Sequence, residues 1–356
     1  MLSASLMAAV LALTQFSEPL ALPERDEVMA IPPELRAELD EGLKTAGSAP
    51  QQRIEWLSAF LFSPEGLGLE YTHDSTGTIA ETYASREANC LSATLMFLAL
   101  ADELGFNARP QEYRRALIWS QEEDTVYRIA HVNVHIRTND ATFTVDFEPY
   151  LITDGDRRPR PIGEDRLLAH FYNNRAAEHM SRHEYVAALN AIQRALSLDE
   201  RFVPAWNNLG VVKQRQGRYE SAEDAFLRAL SVHSTNESVL SNLASLYAAM
   251  GETDLLKRYE RRLQRAQRRD PFHQFEKGLA LEDQGQYQQA RRHFRRAISH
   301  HDREPLFHFA LARAHYELGA MRRATWALRR AIQTSQPEQQ PIYEEKLNTL
   351  QERRRR

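Results

Sequence analysis

A period of 34 residues runs through the second half of the chain. Four glycines mark it at equal spacing: Gly217, Gly251, Gly285 and Gly319. Two alanine rows keep the same period, with Leu256 and Leu263 replacing alanine in the third unit: Ala188, Ala222, Ala290, Ala324 and Ala195, Ala229, Ala297, Ala331. Glycines that end a helix, followed by small residues that admit a second helix, predict repeated helix pairs. Because one pair cannot bury its apolar face alone, the pairs must stack into an all-α solenoid.

The second unit shows the pattern most clearly. It reads PAWNNLG over 204–210, followed by Gly217, Tyr219, Ala222, Phe226 and Ala229. This series resembles the tetratricopeptide repeat (TPR). Extending the period backward reaches His183, which predicts a degenerate first unit and about five TPR units over residues 169–337. Residues 338–356 predict a polar capping helix and a basic tail, with Arg353–Arg356 disordered.

A TPR array presents a surface for a peptide or protein, so we expect such a partner. The alternative is that the array only supports the front of the chain. Arginine-rich segments within it could meet an acidic partner or form a solvated helix face. The basic tail has no interleaved aromatic residues, and we therefore expect no nucleic-acid partner.

Cys90 is the only cysteine in the chain. A lone thiol cannot form an internal disulfide and makes a poor metal site, which leaves a buried core residue or a nucleophile. Asn89 predicts the N-cap of an apolar helix over Cys90–Leu104 that Gly105 ends. A helix N-terminus stabilises a thiolate, and its unpaired N–H groups could hold an oxyanion. The position therefore favours a nucleophile.

Two strands after this helix predict a base and an acid for the thiol. Residues 127–137 and 141–150 read as a hairpin around Asn139-Asp140. With these two as the central turn residues, Asn133 faces Asp146, and His131 is its diagonal neighbour on the same face. A three-residue loop would slip this register. His131 is preferred over His135 as the base because it lies closer to the predicted sheet end.

These residues also carry a family resemblance. The segments NCLSATLMFLALADELGFNAR (89–109), AHVNV (130–134) and FTVDFEP (143–149) resemble the core of the transglutaminase-like superfamily. The resemblance covers residues 65–150. It implies a papain-like α+β domain, assigned here to residues 23–165, with catalytic Cys90, His131 and Asp146. Many relatives have an aromatic residue soon after the histidine, whereas Val132 and Asn133 follow it here.

The implied chemistry is cysteine-dependent acyl transfer or amide hydrolysis on a peptide or protein that the TPR array recruits. Cys90 would attack an amide carbonyl, His131 would carry the proton, and Asp146 would orient the imidazole. No cofactor and no metal are expected. The alternative is a non-catalytic TPR interaction scaffold with a degenerate transglutaminase-like domain. Substrate, hydrolysis against transamidation, and oligomeric state stay open.

The front and back parts of the chain differ in net charge, and the first residues resemble a targeting segment. From Lys257 onward the chain carries 23 Lys and Arg against 12 Asp and Glu, which is a net charge of +11. Because the whole chain has a net charge of −4, the residues before Lys257 carry −15. The apolar run Leu6–Leu13 within residues 1–22 resembles a secretory signal, although no Lys or Arg precedes it. This predicts a periplasmic or secreted protein. The alternative is a cytoplasmic protein with a short buried N-terminal helix.

Overall fold

A computed structural model of the chain describes residues 22–72, 75–113, 119–122, 125–128, 131–138, 141–147, 159–335 and 340–355. The predicted signal-like segment lies outside these residues, apart from Leu22. The described chain is mostly helical, with a four-stranded sheet and two two-stranded sheets before the first long run of helices. None of the described helices has the length and apolar character needed to cross a membrane.

Five helices precede the sheet in the described chain: α1 (Arg25–Val28), α2 (Pro33–Leu43), α3 (Pro50–Phe62), α4 (Ile79–Ser85) and α5 (Cys90–Glu103). Helix α4 lies in a stretch in which the sequence predicts no helix. Its local signal is a capping box: Thr78 Oγ1 accepts from Glu81 N at 3.1 Å, and the Glu81 carboxylate accepts from Thr78 N at 2.8 Å.

Helix α5 is the core of the front part. Eleven of its 14 residues are buried, because apolar side chains occupy nearly every face. It packs against strands β3 and β6 of the sheet (bounds below). Asn89 caps it as predicted: its Oδ1 accepts from Leu91 N at 3.0 Å and from Ser92 N at 2.9 Å. The cap therefore fixes the turn that begins with Cys90.

The main sheet is antiparallel with strand order β7-β6-β3-β8. The eight described strands are β1 (Glu70–Tyr71), β2 (Glu87–Ala88), β3 (Asn107–Glu112), β4 (Trp119–Glu122), β5 (Thr125–Arg128), β6 (Val132–Arg137), β7 (Thr142–Val145) and β8 (Arg160–Pro161). β1 pairs with β2 in parallel, and β4 pairs with β5. The segment 127–137, predicted as one strand, is divided between β5 and β6.

The β6–β7 pairing has the register that a two-residue turn predicts. Arg137 faces Thr142, and Val134 faces Val145. Thr138 N donates to Ala141 O at 2.9 Å, which closes the hairpin on its turn side. One further step along the same register sets Asn133 opposite Asp146. The same register would set His131 opposite Glu148, which lies outside the described residues.

The rest of the described chain consists of five helix pairs and a final helix. The pairs are α6 (Glu164–Ser181) with α7 (Tyr185–Leu198), α8 (Val203–Arg215) with α9 (Tyr219–Val232), α10 (Glu237–Met250) with α11 (Thr253–Arg269), α12 (Pro271–Asp283) with α13 (Tyr287–His300), and α14 (Pro305–Glu317) with α15 (Met321–Thr334). The final helix, α16 (Gln340–Arg355), packs on α15. Its backbone is helical to Arg355, so Arg353, Arg354 and Arg355 continue the predicted capping helix, and Arg356 lies outside the described residues. Tyr343 and Leu350 anchor it with buried side chains.

The periodic glycines adopt the backbone conformation that their position requires. Gly217, Gly251, Gly285 and Gly319 have φ between 69° and 76°, the left-handed region that ends a helix. His183 occupies the same place in the first pair with φ 59°. The degenerate first unit therefore keeps the turn geometry without the glycine.

Internal contacts divide the described chain into two compact units. Unit 1 runs to residue 233, apart from most of the β4–β5 hairpin, and unit 2 contains the helices from α10 onward. The boundary thus falls inside the repeats. Unit 1 contains the front part together with the first two repeats. Helix α6 links them, because it is hydrogen-bonded both to strand β3 and to Asp199, which follows α7.

A half-buried ion-pair network makes that connection. Arg166 on α6 donates to the two Glu112 oxygens of β3 at 3.0 and 3.1 Å and to Asp199 Oδ2 at 2.5 Å. His170 Nε2 lies 2.9 Å from Glu112 Oε2. Burial alone would raise the pKa of Glu112, but its bonds with His170 and Arg166 lower it to about 2. Burial lowers the pKa of His170, so at neutral pH this imidazole donates as a neutral group and Arg166 supplies the charge.

Close packing within the fourth pair gives a test of the repeat interior. A Cβ added to Gly278 would lie 2.4 Å from Cε1 of the buried Phe294. We expect Gly278→Ala to destabilise the chain by about 1–3 kcal/mol, although alanine is the better helix former. In a Phe294→Leu background the penalty should shrink, because the clashing ring atoms are gone. Urea unfolding of the four proteins in this cycle measures it, and an equal penalty in both backgrounds would contradict the packing.

Candidate functional site

Cys90 is the first residue of α5 and is 6% exposed. Its thiol is free. The sequence leaves the first-turn N–H groups available for an oxyanion, but Asn89 Oδ1 takes those of Leu91 and Ser92. The Cys90 N–H takes no part in these cap bonds. An oxyanion at this helix end would therefore rely on that N–H and on donors from outside the cap.

His131 and Asp146 are in direct contact. His131 Nε2 lies 2.8 Å from Asp146 Oδ1 and 2.9 Å from Oδ2. The imidazole is fully buried, whereas the Asp146 side chain keeps 21% exposure. The structure thus brings together the diagonal pair that the hairpin register predicts. His135, the other candidate base, lies four residues further along the chain, within β6 and opposite Thr144.

The charge state of His131 follows from its two neighbours. Burial lowers the pKa of the imidazole, but the Asp146 hydrogen bond and the adjacent Cys90 thiol outweigh burial and raise it to about 10. Asp146 occupies Nε2, which leaves Nδ1 as the nitrogen for the thiol. Nδ1 is buried and has no hydrogen-bonding partner among the described residues. The Cys90 side chain acts on the ring from close range, since it is one of the two neighbours that raise the pKa of His131.

Asn133 and Tyr113 complete the surroundings of this pair. Asn133 Nδ2 donates to Asp146 Oδ2 at 3.0 Å and lies 3.3 Å from the Tyr113 hydroxyl. The Tyr113 ring stacks on the His131 imidazole, with centroids 5.4 Å apart and planes inclined by 25°. Sequence reasoning assigned neither residue a role. Asn133 already stood opposite Asp146 in the predicted register, but Tyr113 becomes visible only once β3 is known to pair with β6.

Two more buried polar atoms without a described partner share this face of the sheet. Gln111 faces Asn133 in the β3–β6 register, so their side chains lie on the same side. Gln111 Nε2 and Asn133 Oδ1 are both buried and unpaired within the described residues. Leaving such groups unpaired costs free energy. With His131 Nδ1 they supply an unpaired donor, an unpaired acceptor and a proton carrier on one part of the sheet, and an amide group offers the complementary acceptor and donor.

A chain of hydrogen bonds leads from the first repeat helix to the Cys90 turn. Glu178 of α6 accepts from Thr76 N at 2.8 Å, and Arg175 Nη1 donates to Thr76 O at 3.3 Å. Thr76 Oγ1 accepts from Asn89 Nδ2 at 2.8 Å, and Asn89 caps α5. Burial raises the pKa of Glu178. Helix α6 therefore bonds both the backbone N–H and the backbone C=O of Thr76, and the Thr76 side chain bonds the residue that caps the Cys90 helix.

Unit 2 holds a separate cavity of about 500 Å³ among its last helices. Tyr287, Phe309 and Tyr316 contribute aromatic walls. Glu282 and Arg313, which also line it, form an ion pair at 2.5 Å, and burial raises the pKa of Glu282. Phe309 is held by Tyr343 of the capping helix, with ring centroids 5.5 Å apart. The cavity is therefore lined by side chains of the last two helix pairs, α12 with α13 and α14 with α15, and by α16 on one side.

Comparison with known proteins identifies the repeats. A family model described as "Tetratricopeptide repeat" matches residues 173–237 and 275–339. The chain is 35% identical over 66 residues to "Small glutamine-rich tetratricopeptide repeat-containing protein 2" of Saccharomyces cerevisiae, which is 18% of this chain and 19% of that protein. It is 26% identical over 88 residues to "Anaphase-promoting complex subunit 3" of Schizosaccharomyces pombe, which is 25% of this chain and 13% of that protein. The chain thus spans less than a fifth of either relative.

Similar solved structures include the TPR protein YrrB, described as having an unusual peptide-binding site (22% identity, 50% of this chain, 92% of that chain, TM-score 0.27). Another is the Cut9–Hcn1 hetero-tetramer of the APC/C (16% identity, 52% and 37%, TM-score 0.29). The matched family model identifies TPR repeats in residues 173–237 and 275–339. The third pair, α10 with α11, falls outside the matched ranges, and it is the pair in which leucines replace both alanine rows. The transglutaminase-like resemblance of residues 65–150 stays a prediction.

The raised pKa of His131 gives a stability test with a definite sign. A folded-state pKa of about 10, above the ordinary value of 6.5, stabilises the fold fully below about pH 6.5 and loses this effect as pH rises to about 10. We therefore expect the stability difference between wild type and His131→Gln to shrink steadily over that window. Urea unfolding of both proteins at about pH 6, 8 and 10 measures it, since other titrating groups cancel in the difference. A difference that stays constant with pH would contradict the charged His131–Asp146 pair.

Proposed function

We propose that this chain is a protein-interaction module whose TPR repeats bind a peptide or protein segment. The observation that carries the proposal is the cavity in unit 2. Aromatic side chains supply large contact areas at low cost in conformational entropy, and they dominate the energetics of recognition sites. The relatives support the same role, since one is by name a subunit of a multiprotein complex.

The lining of the cavity defines what it would accept. Tyr287, Phe309 and Tyr316 offer an apolar slot for one large side chain of the ligand. Glu317 and Asp283 line the same cavity and would pair with a cation beside that side chain. Arg313 is already engaged by Glu282 and stacks over Phe309, with its guanidinium carbon 5.5 Å from the ring centre. A segment with an apolar residue next to Lys or Arg fits this pattern.

A second candidate function is cysteine-dependent acyl transfer or amide hydrolysis in unit 1. The observation that favours it is the contact of His131 with Asp146, with Cys90 beside the other imidazole nitrogen. A raised His131 pKa keeps the imidazole protonated at neutral pH. The arrangement therefore suits a thiolate–imidazolium pair, the resting state that nucleophilic cysteines need.

The proposed reaction proceeds in two steps. The Cys90 sulfur attacks an amide carbonyl carbon, the C–N bond breaks, and His131 gives its Nδ1 proton to the leaving amine. Asp146 holds the imidazole through Nε2 throughout. Water then attacks the thioester while His131 accepts its proton, which releases an acid and restores Cys90. An amine in place of water would give a new amide. The repeats would bring the peptide to this site.

The competing account is a scaffold in which this site is a relic. Asn89 consumes two N–H groups that an oxyanion hole would use, and Cys90 is nearly fully buried. Both features suit a structural thiol. Thiol reactivity separates the two accounts without knowledge of the substrate.

Binding by unit 2 is tested at Tyr287, for which the repeats offer a matched control. Tyr219 lies two periods earlier, at the same first position of its helix, and outside the cavity. We expect Tyr287→Ala to lose most binding to an array of short peptides of varied charge and apolar content. Tyr219→Ala should bind like wild type. Equal binding by all three proteins, or equal losses in both variants, would contradict the cavity as the binding site.

Catalytic competence is tested by alkylating Cys90 with iodoacetamide near neutral pH. An active pair should react faster than a model thiol, and Asp146→Asn and His131→Ala should slow the reaction at least about tenfold, because the thiolate loses its counter-ion. His135→Ala, which removes the other candidate base, is the control and should react like wild type, because the Asp146 carboxylate oxygens bond to His131. Slow alkylation that is insensitive to His131 would leave the interaction role alone.

A further inference from the structure

The second helices of the last three repeats carry arginine at equivalent positions. Two rows with the 34-residue period lie on α11, α13 and α15: Arg261, Arg295, Arg329 and Arg258, Arg292, Trp326. Each of the three helices begins two residues after a left-handed glycine, so the positions are structurally equivalent. All six side chains are exposed. We call this surface of unit 2 the arginine face.

The arginine face is separate from the packed side of its helices. On α13 the buried residues are Ala290, Phe294 and Ala297, which leaves Arg292 and Arg295 to solvent. On α15 the buried residues are alanines and Leu328, and the arginines again lie on the other side. Successive helices from α11 to α15 contact one another within unit 2. The rows therefore run across neighbouring repeats as a two-dimensional array of charge.

The charge of this face is not balanced locally. Helices α13 and α15 contain no Asp or Glu, and α11 contains only Asp254 and Glu260. The ion pairs of Arg313 with Glu282 and of Lys346 with Glu345 in unit 2 do not lie on this face. A solvated surface normally mixes both signs, because like charges on packed helices repel. The unbalanced positive charge of the arginine face therefore favours contact with an anionic partner over exposure to solvent alone.

The equivalent positions of unit 1 differ. Asn190 and Gln193 stand there on α7, and Asp224 and Leu227 stand there on α9. The repeat fold itself thus does not require arginine at these positions. The charge is a property of the last three repeats.

Trp326 distinguishes among anionic partners. It is 57% exposed, at the position that Arg258 and Arg292 hold in the preceding repeats. Arg322, Arg323, Arg329 and Arg330 flank it on its own helix at i±3 and i±4. An indole ringed by arginine suits the boundary between lipid headgroups and acyl chains, where the ring is sheltered and the cations meet phosphate. A linear acidic peptide or single strand could follow one row, whereas a bilayer surface contacts both rows at once.

We propose that the arginine face docks on a membrane surface rich in anionic phospholipid, with Trp326 in the interfacial layer. This role is independent of both the cavity in unit 2 and the Cys90 site. It uses exposed side chains only, so binding needs no opening of the repeats. It also gives the positively charged C-terminal part of the chain a partner of opposite charge.

Sedimentation of the full chain with vesicles tests the proposal. We expect binding to phosphatidylcholine vesicles that contain about 30% phosphatidylglycerol, no binding to phosphatidylcholine alone, and loss of binding from about 0.1 M to 0.5 M salt. Arg261→Glu/Arg295→Glu/Arg329→Glu should weaken binding by about a hundredfold or more. The control Arg53→Glu/Arg201→Glu/Arg218→Glu changes the net charge equally at exposed sites of unit 1 and should bind nearly as wild type.

Tryptophan fluorescence supplies the second readout. Anionic vesicles should shift the wild-type emission to the blue, and Trp326→Phe should abolish the shift while the variant still binds. The proposal is overturned if no vesicle binding occurs, or if the control variant loses as much affinity as the arginine-face variant. Binding to polyadenylate or polyglutamate as tight as to vesicles, with no blue shift, would replace the bilayer with a soluble polyanion.

Discussion

The ion pair of Arg166 with Glu112 holds the structure of unit 1 together. It joins the first helix of the repeats to a central strand of the sheet, and a pKa of about 2 keeps Glu112 ionised in a half-buried setting. A buried charge that loses its partner costs several kcal/mol. The pair must therefore form whenever β3 and α6 pack, and it fixes α6 against the sheet. The first repeat is consequently part of the front fold and not an appendage to it.

The candidate site depends on the same helix. Further along α6, Glu178 accepts from the Thr76 N–H and Arg175 donates to the Thr76 C=O. The Thr76 hydroxyl in turn accepts from the side chain of Asn89, which caps α5. Gln111 and Tyr113 flank Glu112 in the sequence. Gln111 faces Asn133, and Tyr113 faces His131. Both halves of the site, the Cys90 turn and the His131–Asp146 pair, therefore rest on contacts that α6 makes. A change in the first repeat would reach Cys90 through a few named hydrogen bonds.

Local signals in the sequence predicted much of this arrangement, and nonlocal ones predicted little. The glycine period located the helix pairs, because each left-handed turn is a property of a few adjacent residues. The Asn139-Asp140 turn fixed the β6–β7 register and with it the approach of His131 to Asp146. Tyr113 and the Glu178–Thr76 bond were missed, since they depend on how β3 pairs and how α6 docks over a separation of 102 residues. The N-cap role of Asn89 already implied that its side chain uses the Leu91 and Ser92 N–H groups, and the expectation of an oxyanion site at the same groups left that out of account.

Hydrogen exchange at the start of α5 tests most directly whether the first repeat supports the Cys90 turn. Glu178→Ala removes the acceptor for Thr76 N, whereas Glu164→Ala removes an exposed ion pair with Arg25 at the other end of the same helix. The account predicts faster exchange of the Leu91 and Ser92 amides in Glu178→Ala, by about tenfold for about 1.4 kcal/mol of lost protection, and wild-type exchange in Glu164→Ala. Equal protection of these amides in all three proteins would contradict it.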